Sequence, residues 1–507
     1  MVRGGQPDQH AGADAEHRET HVATGAPVSS RAVAADAIGA VDVRVRAFAV
    51  WAVAFGLGVL YHEWQAGPEP LSVHTAAGIA AIVLLLRPTS LHRLRVVFGL
   101  IIVELVVNLP EPLNHDVLLA GGAAGALLDW SWRRARGIVD DGAAFFFGRV
   151  APMFRVAFIV MWFAAAFAKI NRGFLSADTS CALWIVDSIP LLDTGAFPPP
   201  VRALIVGATV LTEFSIPVLL LLRRTRLAGI ALGWTFHLVA AFAGHTAFSG
   251  VGWSMYLLFL PPATLAAMAD IVAERWHAVT SRTRDRLERA WRHPATLPVL
   301  VCVWLLAVVA LQQLPVVWLN RARRYGAMLP YVTLAPAWAW LVWQGVRRRA
   351  GADDGGSAAA SLRLGHPIAF LVVGLVLVNA LTPYLGLKTR YSFTMYSNIR
   401  TEADLWNHLV VPSAVRVAEL EDDLVRVTGV TGAGADVAAI IGAHVPTGEA
   451  RRVLAPHPDA IAVYEMDGRR HVADPVASDA TVGTPLPVGT AKLAGFRPVE
   501  AVDVCQH

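Results

Sequence analysis

Lys169 is the residue in this sequence whose type and position most strongly suggest chemistry. Forty of the forty-three basic side chains are Arg, so Lys is rare in this chain. The uncharged segment VAFIVMWFAAAFA precedes Lys169, and a helix of that length would carry the ammonium roughly 20 Å into a hydrocarbon layer. Lysine, unlike arginine, can lose its proton when buried, so Lys169 is a candidate general base. Alternatively, it reaches the interface or pairs with a carboxylate.

Further polar residues interrupt other apolar stretches at similar depths. They are Glu104, Asn108, His115, Glu213 and His237. Counted along a helix from the nearest loop arginines, Glu104, Glu213 and His237 fall near the middle of the bilayer. A single intramembrane polar residue most often bonds to a neighbouring helix. Several at matching depth, with a lysine among them, predict an interior cavity, because charged groups in lipid must face a cavity or one another.

The elements that must position these residues are helices in a membrane. The sequence is 55% hydrophobic and 16% charged, which excludes a soluble globular fold. We therefore predict an all-α polytopic membrane helix bundle with about eleven transmembrane helices. The apolar runs are residues 47–64, 71–86, 94–109, 116–132, 150–168, 201–222, 227–243, 247–267, 297–319, 327–346 and 366–385.

The placement of arginine predicts the orientation of the bundle. Arginines gather in alternate connecting segments along the first eight runs, and cytoplasmic loops are rich in Lys and Arg, so the N-terminus is predicted to be cytoplasmic. Residues 1–40 are polar and lack periodicity, which predicts a disordered cytoplasmic tail. Residues 271–296 are predicted to be an Arg-rich cytoplasmic loop, and residues 297–385 to be additional transmembrane helices. There the alternation fails, because arginines flank residues 327–346 on both sides.

The C-terminal part, residues 386–507, is predicted to be extracytoplasmic and to end in a small α/β module. The sequence AIAVYEMDGRRHVA is typical of a hairpin that turns at Asp467-Gly468, and EDDLVRVTG is typical of a strand. We find no catalytic constellation in this module, so we interpret it as a docking or capping element.

Cysteines and basic residues give few other indications. Cys181, Cys302 and Cys505 have unrelated spacings, which predict neither a metal site nor a disulfide framework, although Cys181 and Cys505 could meet outside the cell. No basic face interleaved with aromatics points to nucleic acid as a partner. The expected partner is the lipid bilayer of the cell membrane.

Three segments carry a resemblance to a known family. AAAFAKINRGFL, LNHDVLLAG and TEFSIPVLLLLRRTRLAGIALGWTFHLVAAF resemble the HTTM membrane domain shared by vitamin K-dependent gamma-carboxylase and its bacterial relatives. The resemblance covers residues 41–270. The family's intramembrane lysine, which precedes a hydrophobic-Asp/Asn pair, is matched by Lys169 before Ile170-Asn171. The family's Asn-His pair is matched by Asn114-His115.

Two further segments extend this resemblance. The Phe-His-Leu of a later helix in the family is matched by Phe236-His237-Leu238. The segment FTMYSNIRTEADLWNHLVVP of residues 393–412 is similar to a stretch in bacterial members.

The resemblance implies a lipid-quinone-dependent carboxylase or epoxidase reaction. In the family, the lysine amine deprotonates a reduced naphthoquinone, such as menaquinol or vitamin K hydroquinone. The anion reacts with dioxygen, and the product removes a proton from a glutamate side chain, to which carbon dioxide adds. By this resemblance Lys169 is the base and His115 orients it or donates to an oxyanion. The implied quinone pocket comprises Asn114, His237, Glu213, Glu104, Asn108 and Asn171, and no metal is required.

The sequence departs from the family after the membrane domain. The large lumenal domain that grips a propeptide is replaced by about 95 residues, 413–507, which leaves the glutamate substrate open. A small secreted peptide or protein is one implied substrate. The alternative is a non-catalytic membrane factor for maturation or export of a small secreted peptide, as members of the broader family are thought to provide for a sporulation-delaying toxin. A transporter is a weaker alternative, because we find no inverted repeat.

Overall fold

The computed structural model describes residues 30–138, 142–350, 360–402, 405–418, 420, 423–499 and 505. Contacts divide the chain into two compact units, residues 1–40 and residues 41–507. Most of the tail predicted for residues 1–40 lies outside the described residues, and helix α1 begins at Ser30. The fold and the site below concern the second unit.

The described part of the second unit is mostly helical. The first helices are α1 Ser30–Ala66, α2 Val73–Leu86, α3 Leu91–Asn108, α4 Asn114–Ala135, α5 Gly142–Phe145, α6 Ala151–Phe167, α7 Arg172–Leu175 and α8 Cys181–Asp187. They are followed by α9 Pro199–Leu221, α10 Arg226–Phe242, α11 Thr246–Leu257, α12 Pro262–Ala278, α13 Ser281–Arg292, α14 Thr296–Gln312, α15 Val316–Ala350 and α16 Pro367–Leu381. A π-helical turn at Phe146–Val150 joins α5 to α6.

Within the described residues, three helices are long and apolar enough to span a membrane. They are Asp42–Ala66, Gly142–Phe167 and Pro199–Leu221. Two bent helix pairs, α11 with α12 and α13 with α14, raise the number to five if each pair is one span. As a count of such helices, the prediction of about eleven is therefore wrong.

The overestimate has physical reasons. Helices α2, α10 and α16 are apolar but have only 14, 17 and 15 residues, short of the roughly 20 that cross a bilayer. Helices α3 and α4 lie where apolar runs were predicted but also contain charged side chains. The run 247–267 is broken by a 111° bend between α11 and α12.

The segment 271–296, which was predicted to be a cytoplasmic loop, contains helix α13.

Local sequence fixes the helix ends beside the site. Helix α4 begins at Asn114, where the carboxylate of Asp116 accepts the backbone N–H of Leu113 at 2.7 Å. Helix α7 begins after Asn171, whose side-chain oxygen accepts the N–H of Phe174 at 2.8 Å. Such caps satisfy backbone donors that have no partner inside the helix. Asn114 and Asn171 are therefore held at defined positions along the chain.

Aromatic residues fill the core of the helical part. Trp51, Phe146 and Phe158 are all at most 2% exposed and pack with further rings from neighbouring helices. Helices α1 and α11 approach closely at Gly58 and Gly250. A Cβ on Gly58 would lie 2.7 Å from the carbonyl oxygen of Gly250, so a larger residue there would push the two helices apart.

The C-terminal module contains a four-stranded antiparallel sheet in the order β2-β1-β3-β4. The strands are β1 Leu424–Thr431, β2 His444–Pro446, β3 Ile461–Met466 and β4 Arg469–Ala473. Short helices α17 Thr447–Leu454 and α18 Val488–Leu493 accompany the sheet. Asp467 and Gly468, both with positive φ, form the two-residue turn between β3 and β4, as the Asp-Gly pair predicted.

A disulfide and ion pairs join the C-terminal segment to the helical part. Cys181 in α8 is bonded to Cys505, so the pairing that the sequence left open is present. Arg390 and Arg452 both contact Glu111, in the connection between α3 and α4. The module is thus tied to the helical part near the start of α4.

Candidate functional site

A cavity of about 800 Å³ lies among helices α4, α6, α9, α10 and α11. Five predicted site residues line it: Asn114, His115, Lys169, Glu213 and His237. The rest of its lining is mainly apolar and aromatic, with Trp162, Phe236 and Phe248 among the side chains. The cavity has the size and lining typical of a small-molecule site.

Lys169 is buried on the wall of this cavity, just beyond the end of α6. It is 3% exposed, and its Nζ lies 2.7 Å from Oε2 of Glu213, which is 4% exposed. Nζ also donates to the carbonyl oxygens of Met395 at 3.1 Å and Ala165 at 3.3 Å. Lys169 therefore pairs with a carboxylate, which is the alternative to a free general base that the sequence left open.

His237 presents an unsatisfied imidazole to the same cavity. Its side chain is fully buried, and neither ring nitrogen has a hydrogen-bond partner in the described part of the chain. The centroids of the Phe248 and Tyr256 rings lie 4.8 and 5.6 Å from the imidazole centroid. A buried polar group without a partner is uncommon and needs a ligand or water. His237 can therefore donate to, or accept from, a molecule in the cavity.

The backbone around His237 leaves little spare room. A Cβ on Gly252 of α11 would lie 2.8 Å from His237 Nε2, closer than ordinary van der Waals contact. Glycine at position 252 is therefore what allows the imidazole to occupy its place.

Residues 391–398, which we name the cap segment, close one end of the cavity. The N–H of Phe393 donates to the Asn114 side chain at 2.7 Å. The carbonyl of Met395 accepts from Lys169, and that of Ser397 accepts from Asn171. Three residues that the sequence singled out therefore hold this segment through its backbone.

The cap segment departs from ordinary backbone geometry. Tyr391, Phe393, Tyr396 and Asn398 all have positive φ, a region that non-glycine residues rarely occupy. A conformation of this kind persists only where surrounding contacts impose it. Lys169 and Asn171 donate hydrogen bonds to this segment and Asn114 accepts one from it, and these bonds supply such contacts.

His245, between α10 and α11, connects the cap segment to the cavity wall. Burial, with a smaller contribution from the nearby Arg324 guanidinium, lowers the pKa of His245 to about 4. The imidazole is therefore neutral near pH 7, and Nδ1 is hydrogen-bonded to the Tyr396 hydroxyl at 2.9 Å. Its Nε2 is buried and lacks a partner in the described part of the chain.

Three predicted pocket residues do not line the cavity. Glu104 faces away and bonds to His62. Asn108 is near the end of α3, and its Nδ2 lies 3.4 Å from Nε2 of His74. Asn171 caps α7 and holds the cap segment. The helical rise predicts how far Glu104 and Asn108 lie along their helix, but it does not determine which face of a helix meets the cavity.

The residues beside His115 form a second buried group, which we name the imidazole–carboxylate cluster. Its members, from helices α1 to α4, are His62, Glu63, His74, Glu104, His115 and Asp116. His115 Nε2 lies 2.9 Å from His62 Nδ1, and His62 Nε2 lies 2.9 Å from Glu104. His74 Nδ1 lies 2.8 Å from Glu63. His115 belongs to this cluster and to the cavity wall.

Most of this cluster was not predicted from the sequence. His62 and Glu63 fall inside the predicted apolar run 47–64 and lie in the last turns of α1, but neither was considered as a site residue. The adjacent His62-Glu63 pair at the end of an apolar run could have indicated these residues. Two ionisable side chains in such a run are costly unless partners lie beside them. Asp116 was included in an apolar run and not considered as a site residue.

The cavity reaches the outer surface between α9 and α10. Ala208 of α9 and Thr235 and Val239 of α10 line the cavity and are also exposed. Exposed apolar residues surround this opening, including Leu204 and Leu211. In a bilayer, such an opening would face lipid tails.

Comparison of the chain with family models, with curated proteins and with solved structures gives no match.

Proposed function

We propose that this chain is a multi-pass membrane protein whose cavity binds a reduced naphthoquinone, and that Lys169 removes a proton from it as the first step of a carboxylase-like or epoxidase-like reaction. One observation carries the proposal. A lysine and a carboxylate, Lys169 and Glu213, lie 2.7 Å apart on the wall of a largely apolar cavity of about 800 Å³. A flat aromatic ring with polar oxygens fits an aromatic lining with a few convergent polar groups.

The pair with Glu213 gives Lys169 a route to the neutral amine. Two opposite charges in a site of low dielectric lose their hydration, and moving the ammonium proton to the carboxylate removes both charges. The free amine can then take a proton from a ligand hydroxyl, so that an N–H bond forms as the O–H bond breaks. The ligand oxygen retains the electron pair as an anion.

His237 is suited to stabilise that anion. Its nitrogens have no protein partner within the described residues, so an N–H can be directed at the ligand oxygen without breaking another bond. A donor arranged before the charge develops lowers the barrier, because no reorganisation is needed. A bound hydroquinone would supply the oxygen-reactive chemistry itself.

The opening between α9 and α10 supports access from lipid. Thr235 and Val239 combine exposure with a place in the cavity lining. A lipid-soluble ligand would therefore reach Lys169 sideways, without passing the cap segment.

Two observations support an orientation with the N-terminus in the cytoplasm and the C-terminal module outside. The alternation of arginines predicts it. The Cys181–Cys505 disulfide belongs to an oxidising compartment. In this orientation the short apolar helices α2, α10 and α16 would cross beside the longer ones, with local thinning of the bilayer accommodating their length.

A second candidate is a non-catalytic membrane factor for the maturation or export of a small secreted peptide. The contacts of Lys169 favour it, because its ammonium already faces Glu213, Met395 and Ala165. On this reading Lys169 anchors the cap segment, and the cavity holds lipid tails.

Lipid mass spectrometry of the purified full-length protein in nanodiscs distinguishes the two candidates. The enzyme proposal predicts that a naphthoquinone copurifies or, after loading with menaquinone, is retained at about one molecule per chain. A Gly252→Val variant should lose it, because the added side chain displaces His237. Gly468→Asn in the module turn is the matched control and should retain it. Absence of retained naphthoquinone in the loaded wild-type protein would contradict the enzyme proposal.

A further inference from the structure

The imidazole–carboxylate cluster has no role in the proposed base chemistry. It lies on the far side of His115 from Lys169's cavity and contains three carboxylates and three imidazoles. Five of its members are at most 4% exposed, and the His74 side chain is 17% exposed. So many ionisable groups in one buried volume are costly unless their charges cancel.

The donor atoms of His62, His115 and Asp116 lie within 4.8 Å of one another, close enough to be ligands of one ion. His62 Nε2 lies 2.9 Å from Glu104 Oε1 and 3.5 Å from Asp116 Oδ1. His115 Nε2 lies 3.6 Å from the same Asp116 oxygen. Around a tetrahedral zinc with bonds of about 2.0–2.1 Å, neighbouring donors are about 3.3 Å apart. The observed spacings lie on both sides of this value.

The charges of the cluster also match a divalent cation. Within the described residues, Glu63, Glu104 and Asp116 have imidazoles as their ion-pair partners. Asp116 as a ligand and Glu104 beside His62 place two carboxylates next to the ion. One divalent ion, with His62 and His115 as neutral ligands, would cancel their charge.

An unsatisfied oxygen belongs to the same cluster. Glu63 is fully buried, and its Oε1 has no hydrogen-bond partner in the described part of the chain. One donor atom each from His62, Glu63 and Glu104 lie within 4.8 Å of one another. The second oxygen of Asp116 is held by Leu113 N–H, which leaves Oδ1 directed at the imidazoles.

We propose that the cluster is a site for a divalent transition-metal cation, bound by His62, His115 and Asp116, with the Glu104 carboxylate beside His62. A mixed set of imidazole and carboxylate ligands suits Zn²⁺ or Fe²⁺. On binding, the contact between His62 Nδ1 and His115 Nε2 is exchanged for a bond from His115 to the ion. His115 would then hold the ion close to the cavity wall.

Metal analysis of the purified full-length protein tests this site without any substrate. After incubation with Zn²⁺, or with Fe²⁺ under anaerobic conditions, and removal of free metal, one of the two ions should remain at about one equivalent per chain. His62→Gln and Asp116→Asn should each retain less than a tenth of that amount. Asp129→Asn is the control, a buried carboxylate on the same helix as Asp116 that pairs with Arg149 instead, and should retain the full equivalent.

X-ray absorption spectroscopy of the metal-loaded wild-type protein identifies the ligand atoms directly. This measurement does not depend on whether the variants fold. For zinc, nitrogen and oxygen neighbours at about 2.0–2.1 Å, with scattering from two imidazoles, are expected. The proposal is overturned if the wild-type protein retains less than a tenth of an equivalent of both metals. It is also overturned if folded His62→Gln and Asp116→Asn proteins retain the full equivalent. In either of those outcomes the cluster is a protonated hydrogen-bond network only.

Discussion

Two buried polar regions meet at His115, and they differ in the space and in the unpaired polar atoms that each offers to a ligand. On the cavity side, Lys169 and Glu213 pair across a large apolar space, and His237 has no partner within the described residues. On the cluster side, imidazoles and carboxylates lie 2.8–3.6 Å apart and bond mainly to one another. The first region has room and polar capacity for a molecule, whereas the second has room for at most an ion.

The largest expected effect comes from breaking the Lys169–Glu213 pair. Glu213→Leu leaves a buried ammonium without its counter-ion, which should lower the free energy of unfolding by about 3–5 kcal/mol. The double variant Lys169→Met/Glu213→Leu should recover most of that loss, because neither charge remains. Thermal or denaturant unfolding in matched detergent gives the comparison. Equal stability of wild type and Glu213→Leu would show that the pair is not buried.

Replacing one histidine on each side sharpens the contrast. His62→Leu removes the imidazole that bonds to Glu104 and His115, so it should cost about 1–3 kcal/mol of unfolding free energy. His237→Leu, a change of similar volume, removes nitrogens that have no partner in the described part of the chain, so it should cost less than His62→Leu. The same unfolding assay applies. A larger loss for His237→Leu than for His62→Leu would reverse the distinction between the two regions.

A smaller effect is expected at the cap segment. Asn114→Ala removes the acceptor for the Phe393 N–H, which should cost about 1–2 kcal/mol. Amide hydrogen exchange at Phe393 should speed up by the corresponding factor of roughly ten. Exchange within the β3–β4 hairpin serves as the internal control and should not change. Unaltered exchange at Phe393 would mean that Asn114 does not hold the segment.

The smallest effect concerns access to the cavity. Val239→Trp adds bulk at the exposed rim between α9 and α10 and should slow naphthoquinone loading several-fold while leaving the final occupancy unchanged. A tryptophan at exposed Val272 of α12 is the matched control. Stopped-flow fluorescence with menaquinone vesicles measures the loading rate. Equal loading rates for both variants would place the access route elsewhere.

The sequence predicted the helical positions and the hairpin better than the number of spans. Apolar runs identify helices because burial and lipid both select apolar side chains. They do not separate a helix that spans a bilayer from a shorter one packed inside protein, such as α2. The Asp467-Gly468 turn was predictable because only a few residue types accept its backbone conformation.

The candidate site was predictable from the sequence only where a single residue was unusual for its surroundings, such as a lysine in an apolar run. Lys169 stood out as the intramembrane lysine, and its matched partners Asn114, His115 and His237 line the same cavity. The roles of Met395 and Tyr396 could not be predicted, because a segment more than 200 residues away contacts Lys169 through a backbone carbonyl. The imidazole–carboxylate cluster depends on the packing of four helices, which no local pattern encodes.

The central claim, that Lys169 is a base toward a reduced naphthoquinone, is tested most directly by oxygen uptake. Purified full-length protein in nanodiscs would be supplied with menaquinol and carbon dioxide, and wild type compared with Lys169→Arg and with Lys492→Arg in the exposed part of α18. Arginine keeps the charge but does not give up a proton. Lys169→Arg should therefore lose activity by about 10²–10⁴-fold, whereas Lys492→Arg should match wild type. Full activity in folded Lys169→Arg protein, or no oxygen uptake by wild type, would contradict the claim.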